Sequence, residues 1–119
     1  MGFTTVKVKV SNPRNAIKST EVALLVDTGA TFTVIPRDTL EGIGIKPRVK
    51  RKLRTTDGRV AERDGATALV RVRGKVDEVP ILFGESGDAA IMGITTLEIL
   101  GFELDPITRQ LKPTEYLLL

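Results

Sequence analysis

The sequence predicts an all-β fold, a closed or partly open barrel of short strands with one short helix towards its C-terminal end. Apolar stretches recur along the 119 residues, and most alternate with polar residues, which is the period of a half-buried strand. Only residues 94–100 combine helical spacing, seen at Leu97 and Leu100, with a helix stop at Gly101. Many short strands separated by turns, together with one helix, are typical of a barrel-like β domain.

The first half of the chain is predicted to contain four strands. Three valines alternate with two lysines over residues 6–10, so one face of this strand is apolar and the other is charged. Pro36 ends the third strand, and residues 37–40 can form one helical turn after it. The predicted order is a strand over 6–10, a turn over 11–15, and strands over 19–26, 31–35 and 49–55.

The second half begins with a hairpin. Asp57-Gly58 is a strong two-residue hairpin signal between two strand-like stretches. A return strand begins at Arg59 and is expected to break at Gly65, because glycine weakens the interior of a strand. The remaining predicted strands cover residues 70–72, 76–83, 89–93, 102–104 and 110–112, with a loop over 84–88.

Length and composition predict one domain over residues 1–119. No apolar run approaches the roughly 20 residues that span a bilayer, so no membrane contact is expected. The N-terminal residues alternate and carry lysines, unlike a signal peptide. The lack of cysteine fits a reducing compartment, and we expect a cytoplasmic protein.

The lack of both histidine and cysteine also narrows the chemistry. Common zinc sites need these residues as ligands, and serine–histidine or cysteine–histidine catalysis needs them as base or nucleophile. We therefore expect no metal site and no cofactor. If the chain is an enzyme, carboxylates or an activated lysine must carry its acid–base chemistry.

One dense basic stretch, KPRVKRKLR over residues 46–54, carries six cationic residues. Val49 and Leu53 lie in it at strand-like offsets, so a strand with a solvated charged face is the simplest interpretation. A phosphate-binding patch is the alternative. The net charge of +3 is mildly basic and no aromatic residue interleaves with the stretch, so no nucleic-acid partner is expected.

The stretch LLVDTGATFTVIP, residues 24–36, places a carboxylate at the end of an apolar run. Such a run is usually buried, and a buried lone carboxylate is costly unless it is paired or protonated. One interpretation makes Asp27 a turn aspartate that caps its own loop. The other makes it one half of a carboxylate pair that shares a proton and activates water. The chain has one such triplet, so the pair requires a second copy related by two-fold symmetry.

Three stretches in order carry a family resemblance. LLVDTGATFTVIP is followed by TTDGRV over residues 55–60 and by AAIMGITTLEILG over 89–101. Together they resemble the active-site triplet, the flap hairpin and the second signature of the retroviral-type (retropepsin-like) single-domain aspartic proteases. The ending FELDPITRQLKP, residues 102–113, is most similar to the bacterial and archaeal branch. The resemblance implies the acid-protease barrel and hydrolysis of peptide bonds in a peptide or protein substrate.

The resemblance also implies roles for individual residues. Asp27 would be the catalytic acid from each subunit of a homodimer, supported by Thr28 and Gly29, with Thr28 gripping its copy across the two-fold axis. The N- and C-terminal segments, residues 3–6 and 116–119, would complete the interface; the alternative for the apolar tail is docking on its own core. The implied substrate-binding residues are Ala30, Thr31, Asp57, Gly58 and Arg59.

The chain departs from many retroviral members at two positions. Thr31 stands where they have an aspartate, and Ile94 stands where they have an arginine, so both members of a supporting ion pair are replaced together. Cleavage preferences therefore do not transfer from those proteins. A catalytically silent dimeric module that binds peptides or only dimerises, with the same fold, is the alternative to an endopeptidase.

Overall fold

The hairpins of the chain join into a seven-stranded sheet that closes on itself. The computed structural model describes residues 4–119, and within them lie nine strands and two short helices. The strands are β1 (Thr5–Asn12), β2 (Asn15–Val26), β3 (Thr33–Pro36), β4 (Val49–Arg54), β5 (Val60–Val72), β6 (Lys75–Gly84), β7 (Ile91–Met92), β8 (Phe102–Leu104) and β9 (Leu111–Pro113). The helices are α1 (Arg37–Gly42) and α2 (Ile94–Leu100).

The order of strands in the large sheet is β1-β2-β7-β3-β6-β5-β4. β1 also pairs with β5, with Val10 opposite Val70, and this extra pairing makes the sheet ring-like. The pairings of β2 with β7 and of β3 with β6 are parallel, whereas the hairpin pairings are antiparallel. β8 and β9 form a separate two-stranded sheet. The predicted all-β fold is confirmed.

The core lies inside this ring. In β1, Val8 and Val10 are buried while Lys7 and Lys9 are exposed, as the alternation predicted. Burial of such side chains removes apolar surface from water, which stabilises the fold by about 25 cal/mol for each Å² buried. Fully buried side chains come from both helices and from most strands of the ring, including Leu24, Ile35, Leu40, Ile81, Phe83, Met92 and Leu97. The same core therefore holds α1 and α2 against the sheet.

A second helix accompanies the predicted one. α2 covers the predicted residues 94–100 and ends at Gly101, whose φ of 76° is left-handed and suits glycine. The expectation of a single helix is wrong, because the turn predicted over 37–40 continues to Gly42 as α1. Six residues are too few for helical periodicity to register, and burial of Leu40 stabilises the helix instead. In the described part of the chain, no helix is long and apolar enough to cross a membrane.

β5 runs without interruption, so the predicted break at Gly65 is wrong. A Cβ atom on Gly65 would lie 3.1 Å from Cγ2 of Val49 and 3.3 Å from the carbonyl oxygen of Ile81. Glycine is needed there because β4 and β6 approach closely, and close approach is the second reason for a glycine inside a strand. The turn predicted over 11–15 is also shorter than expected, because β1 and β2 pair almost to their tips.

Arg37, the first residue of α1, ties this helix to β5 and to the end of β6. Its guanidinium lies 2.6 Å from Oδ2 of Asp64 and 2.7 Å from Oε2 of Glu85. It also lies 3.4 Å from Glu41 and stacks over the ring of Phe83. Hydrogen bonds from Arg37 lower the pKa of Asp64 and of Glu85 below their ordinary values.

We expect the stability lost in Arg37→Gln to depend on pH. The pKa values of Asp64 and Glu85 are lower in the folded chain than in the unfolded chain. Their bonds to Arg37 therefore stabilise the fold fully above the unfolded pKa values, which lie at about pH 4. This stabilisation is lost as the pH falls through the folded pKa values. The difference in urea midpoint between wild type and variant should be largest near about pH 6 and shrink towards about pH 3. Arg71→Gln, at an exposed position of β5, is the control and should show no such trend. A difference independent of pH would contradict the expectation.

Candidate active site

Asp27 is the first residue after β2 and lies at the surface of the single chain. Its backbone N–H donates to the carbonyl oxygen of Met92 at 3.0 Å, which continues the parallel pairing of Val26 with Met92. The apolar run is buried at Leu24 and Val26, as expected. The expected burial of Asp27 is not observed in one chain, because the strand ends where the acid begins.

The turn after Asp27 orients its carboxylate. The N–H of Gly29 donates to Oδ1 of Asp27 at 3.0 Å, and the N–H of Ala30 donates to the carbonyl oxygen of Asp27 at 3.2 Å. A Cβ atom on Gly29 would lie 3.3 Å from the same Oδ1, so a side chain there would crowd the acid. Asp27 therefore caps its own loop, and the capping leaves Oδ2 without a partner among the described residues.

The loop from Ala30 to Thr31 is held against the N-terminal end of α2. The N–H of Ile94 donates to the carbonyl oxygen of Ala30 at 2.8 Å, and the N–H of Thr95 donates to that of Thr31 at 3.1 Å. The first N–H groups of a helix have no partner inside the helix, so the loop satisfies two of them. The two sequence stretches around Asp27 and Gly93 are thereby joined in one unit.

Gly93 allows the closest backbone approach in this unit. A Cβ atom on Gly93 would lie 2.5 Å from both the carbonyl carbon and the carbonyl oxygen of Phe32, and 2.8 Å from the carbonyl oxygen of Thr31. Only glycine fits without moving backbone, since real Cβ atoms do not come so close. This contact makes Gly93 a supporting residue of the loop that carries Asp27.

Two buried threonines that sequence reasoning missed lock the same unit. The hydroxyls of Thr33 and Thr96 are hydrogen-bonded to each other, and both side chains are 0% exposed. The oxygen of Thr33 also accepts from the N–H of Gly93 at 3.1 Å. A buried hydroxyl is costly unless it is paired, and here each hydroxyl is. The available signal was a threonine at an inward position of an otherwise apolar strand.

The predicted hairpin at Asp57-Gly58 is confirmed. Gly58 has a φ of 86°, and its N–H donates to the carbonyl oxygen of Thr55 at 2.9 Å. The hydroxyl of Thr55 donates to Asp57, which lowers the pKa of that carboxyl group. Arg59 Nε lies 2.8 Å from Oδ2 of Asp57. All these contacts are local, and among the described residues none joins this turn to Asp27.

The first strand of that hairpin, β4, does contact the segment that follows the Asp27 loop. The guanidinium of Arg51, on β4, lies 4.7 Å from the centre of the Phe32 ring. A cation over an aromatic face is favourable by about 0.5–1 kcal/mol at partly exposed sites. Arg51 therefore links the hairpin formed by β4 and β5 to the segment that follows Ala30 and Thr31.

A groove of about 570 Å³ lies beside Thr28. Ile94 and Phe102 line it together with Tyr116, whose hydroxyl donates to the carbonyl oxygen of Ile99. The tail beyond Tyr116 does not dock on its own core, since its leucines are 84%, 95% and 106% exposed at Leu117, Leu118 and Leu119. Of the predicted N-terminal interface segment, Phe3 lies outside the described residues.

In the described part of the chain, no group of three or more acidic side chains is arranged to hold a metal ion. Within one chain, the loop after β2 presents a single oriented carboxylate, that of Asp27. Asp27, Thr28, Gly29, Ala30 and Thr31 come together in one loop. Asp57, Gly58 and Arg59 form a separate turn.

Comparison with known proteins identifies the family of the chain. A model of the family described as aspartyl protease matches residues 6–104, which include the loop at Asp27, the hairpin at Asp57 and the start of α2. A search of curated proteins found no match. Because the family model covers most of the chain, and its match spans each part of the unit around Asp27, the chain belongs to the aspartyl protease family.

Proposed function

We propose that the chain is an aspartic endopeptidase that acts as a homodimer, with one Asp27 from each copy in a shared site. The observation that carries the proposal is the position of Asp27. It follows the buried end of β2, at Leu24 and Val26, and lies at the surface with its Oδ1 held by the N–H of Gly29. Each chain supplies one Asp-Thr-Gly triplet, whereas metal-free peptide hydrolysis needs both a base and an acid. A two-fold axis beside Asp27 supplies the second carboxyl group.

In the proposed reaction the two Asp27 carboxyl groups hold one water molecule between them. Like charges about 3 Å apart cannot both ionise, so the pair shares one proton. The ionised carboxylate takes a proton from the water as its oxygen attacks the carbonyl carbon of the peptide bond. The protonated one donates to the carbonyl oxygen. The first carboxyl group, now protonated, then gives its proton to the amide nitrogen as the carbon–nitrogen bond breaks. The second, now ionised, takes a proton from a hydroxyl group of the tetrahedral intermediate, which becomes the new carboxylic acid, and the pair returns to its starting state.

The remaining site residues receive supporting roles in this proposal. Thr28 is exposed beside Asp27 and would hydrogen-bond its copy across the axis. Ala30 and Thr31 would line the cleft for an extended peptide or protein substrate, and the turn at 57–59 would close over it. Arg51 supports this assignment, because its contact with Phe32 couples the hairpin to the loop.

The exposed C-terminal tail supports the dimer. Three consecutive leucines stand in water beside an apolar groove, and exposed apolar patches of this kind mark association sites. The tails would pack with the N-terminal segment and Thr28 of the second copy. We also propose a single domain over residues 1–119, a cytoplasmic location and membership of the bacterial and archaeal branch of the family.

The rate of peptide hydrolysis should rise with the square of protein concentration where the chain is monomeric, and linearly where it is dimeric. Only the dimer contains both acids, so its concentration sets the rate. Turnover of a quenched fluorescent peptide library at about pH 5 would be measured beside sedimentation velocity. Leu118→Ser with Leu119→Ser should move the onset of activity to higher concentration. Ile17→Ser, at a position 92% exposed on β2, is the control and should leave it unchanged.

Two outcomes would contradict the proposal. A linear rate down to concentrations at which sedimentation shows only monomer would exclude the shared site. Saturable peptide binding by the dimer without turnover at any concentration would favour the alternative, a catalytically silent module that binds peptides.

A further inference from the structure

A polar cavity of about 530 Å³ lies at the other end of β2 from Asp27. It is lined by the turn between β1 and β2, by the loop after α1, and by parts of β5 and β6. Asp27 follows the last residue of β2, whereas this turn precedes its first. The volume falls within the range of small-molecule sites, about 300–1,000 Å³.

The cavity carries more positive than negative charge, and its cations form no ion pair within the described residues. Arg14, Lys46 and Arg48 line it. Lys18 lies beside the cavity as a fourth cation, because its Nζ atom is 3.5 Å from the place of a Cβ atom on Gly44, a residue that lines the cavity. None of the four side chains forms an ion pair or hydrogen bond with another described residue. Closely spaced cations repel one another, so an anion between them is stabilised.

The one acid of the cavity does not neutralise these cations. Glu78 lines the cavity, but its Oε2 accepts a hydrogen bond from the hydroxyl of Thr67 at 2.6 Å. No ion pair joins Glu78 to a cation among the described residues. The cavity therefore carries several cationic groups against a single carboxylate, which is hydrogen-bonded to Thr67, another residue of the cavity wall.

The walls of the cavity are fixed by hydrogen bonds. Nδ2 of Asn12 donates to the carbonyl oxygen of Ile43 at 2.9 Å, which joins the end of β1 to the loop after α1. The N–H of Arg48 donates to the carbonyl oxygen of Gly65 at 2.9 Å, which joins the same loop to β5. Ile43 and Ile45 anchor this loop in the core. The cationic side chains thus extend from backbone that is already in place, which reduces the entropy lost on binding.

We propose that this cavity is a binding site for a compact phosphate-bearing anion. Guanidinium groups match phosphate oxygens with paired donors, and ammonium groups add charge without a fixed geometry. Among the described residues that line the cavity, none is aromatic, so the phosphoryl group and not a base is recognised. The basic stretch 46–54 divides accordingly: Lys46 and Arg48 face the cavity, whereas Lys50 pairs with Asp64.

Titration calorimetry with inorganic pyrophosphate tests the proposal without any peptide, at about 0.15 M salt, where long-range charge effects are screened. Wild type should bind saturably with one site per chain. Arg14→Gln with Arg48→Gln should weaken binding by about tenfold or more, since two charge-assisted hydrogen-bonding groups are lost. Lys9→Gln with Arg71→Gln removes the same charge from an exposed pair opposite each other on β1 and β5, and should change affinity by less than about twofold.

Two further variants keep the test valid even if one variant fails to fold. Lys18→Gln with Lys46→Gln should weaken binding as Arg14→Gln with Arg48→Gln does. Glu78→Gln removes the single acid of the cavity and should tighten binding severalfold. These changes are in exposed side chains, and urea unfolding would verify that each variant is folded.

Three results would overturn the proposal. The first is no saturable binding at millimolar pyrophosphate. The second is an equal loss in the cavity variant and in the control variant, which would reflect the net charge alone. The third is tighter binding of a glutamate-rich peptide than of pyrophosphate, which would make the cavity a contact for acidic protein segments. All three are separate from the proposed peptidase activity, because no hydrolysis is measured.

Discussion

Asp27→Asn is expected to lower kcat for peptide hydrolysis by about 1,000-fold or more, because the shared proton and the base are lost together. The fold should survive. Oδ1 of asparagine can accept the hydrogen bond that the N–H of Gly29 now donates to Asp27 at 3.0 Å, so the loop keeps its geometry. Hydrolysis of a peptide library between about pH 4 and about pH 7 measures the effect. Turnover as fast as that of wild type would exclude Asp27 as the catalytic acid.

Subunit mixing provides a sharper control for the same prediction. Excess Asp27→Asn added to wild type should suppress activity, because each mixed dimer contains one acid and one amide. Asp38→Asn, at an exposed position in the first turn of α1, should neither lose activity nor suppress that of wild type. If excess Asp27→Asn left wild-type turnover unchanged although sedimentation showed mixed dimers, each chain would hold its own complete site.

Gly93→Ala is expected to destabilise the fold by about 3 kcal/mol, at the upper end of what overpacking costs. The added methyl group would lie 2.5 Å from the backbone of Phe32, and backbone cannot move aside as the end of a flexible side chain can. The φ and ψ of Gly93, −82° and 169°, are extended and open to alanine. The loss would therefore come from the steric contact alone. Urea unfolding at neutral pH measures it, and kcat should fall as well, since Phe32 continues the loop of Asp27.

Gly42→Ala is the matched control. A Cβ atom on Gly42 would meet no atom within 4 Å, and alanine is the better helix former at the end of α1. This variant should be as stable as wild type or more stable. Equal unfolding midpoints for wild type, Gly93→Ala and Gly42→Ala would show that the loop at Phe32 moves aside freely, and would contradict the role given to Gly93.

Local patterns were enough for most of the strands. Alternation predicted β1, because Val8 and Val10 face the core while the lysines face water. Asp57-Gly58 predicted the hairpin correctly, because a left-handed φ at Gly58 is a local demand of the turn. α1 was underestimated, since a helix of six residues depends on burial of Leu40 more than on its own periodicity.

Local patterns failed where two distant segments touch. Gly65 was predicted to break its strand, yet β5 is continuous there. The residue is glycine because Val49 and Ile81 leave little room for a side chain. The hydrogen bond between Thr33 and Thr96 joins residues 63 positions apart, and no short pattern contains both. Such features depend on contacts between segments that are far apart in the chain.

The sequence alone determined the family, through the Asp-Thr-Gly loop and the order of its supporting stretches. Each of these stretches is short, and its residue types are those that the local chemistry requires. The tertiary structure decided three things that no run contains. It ends β2 at Val26 and so exposes the acid that follows, it packs Gly93 against Phe32, and it gathers Arg14 with Lys46 and Arg48 around one cavity. The first follows from where the pairing of β2 with β7 stops, and the other two from contacts between segments that are far apart in the chain.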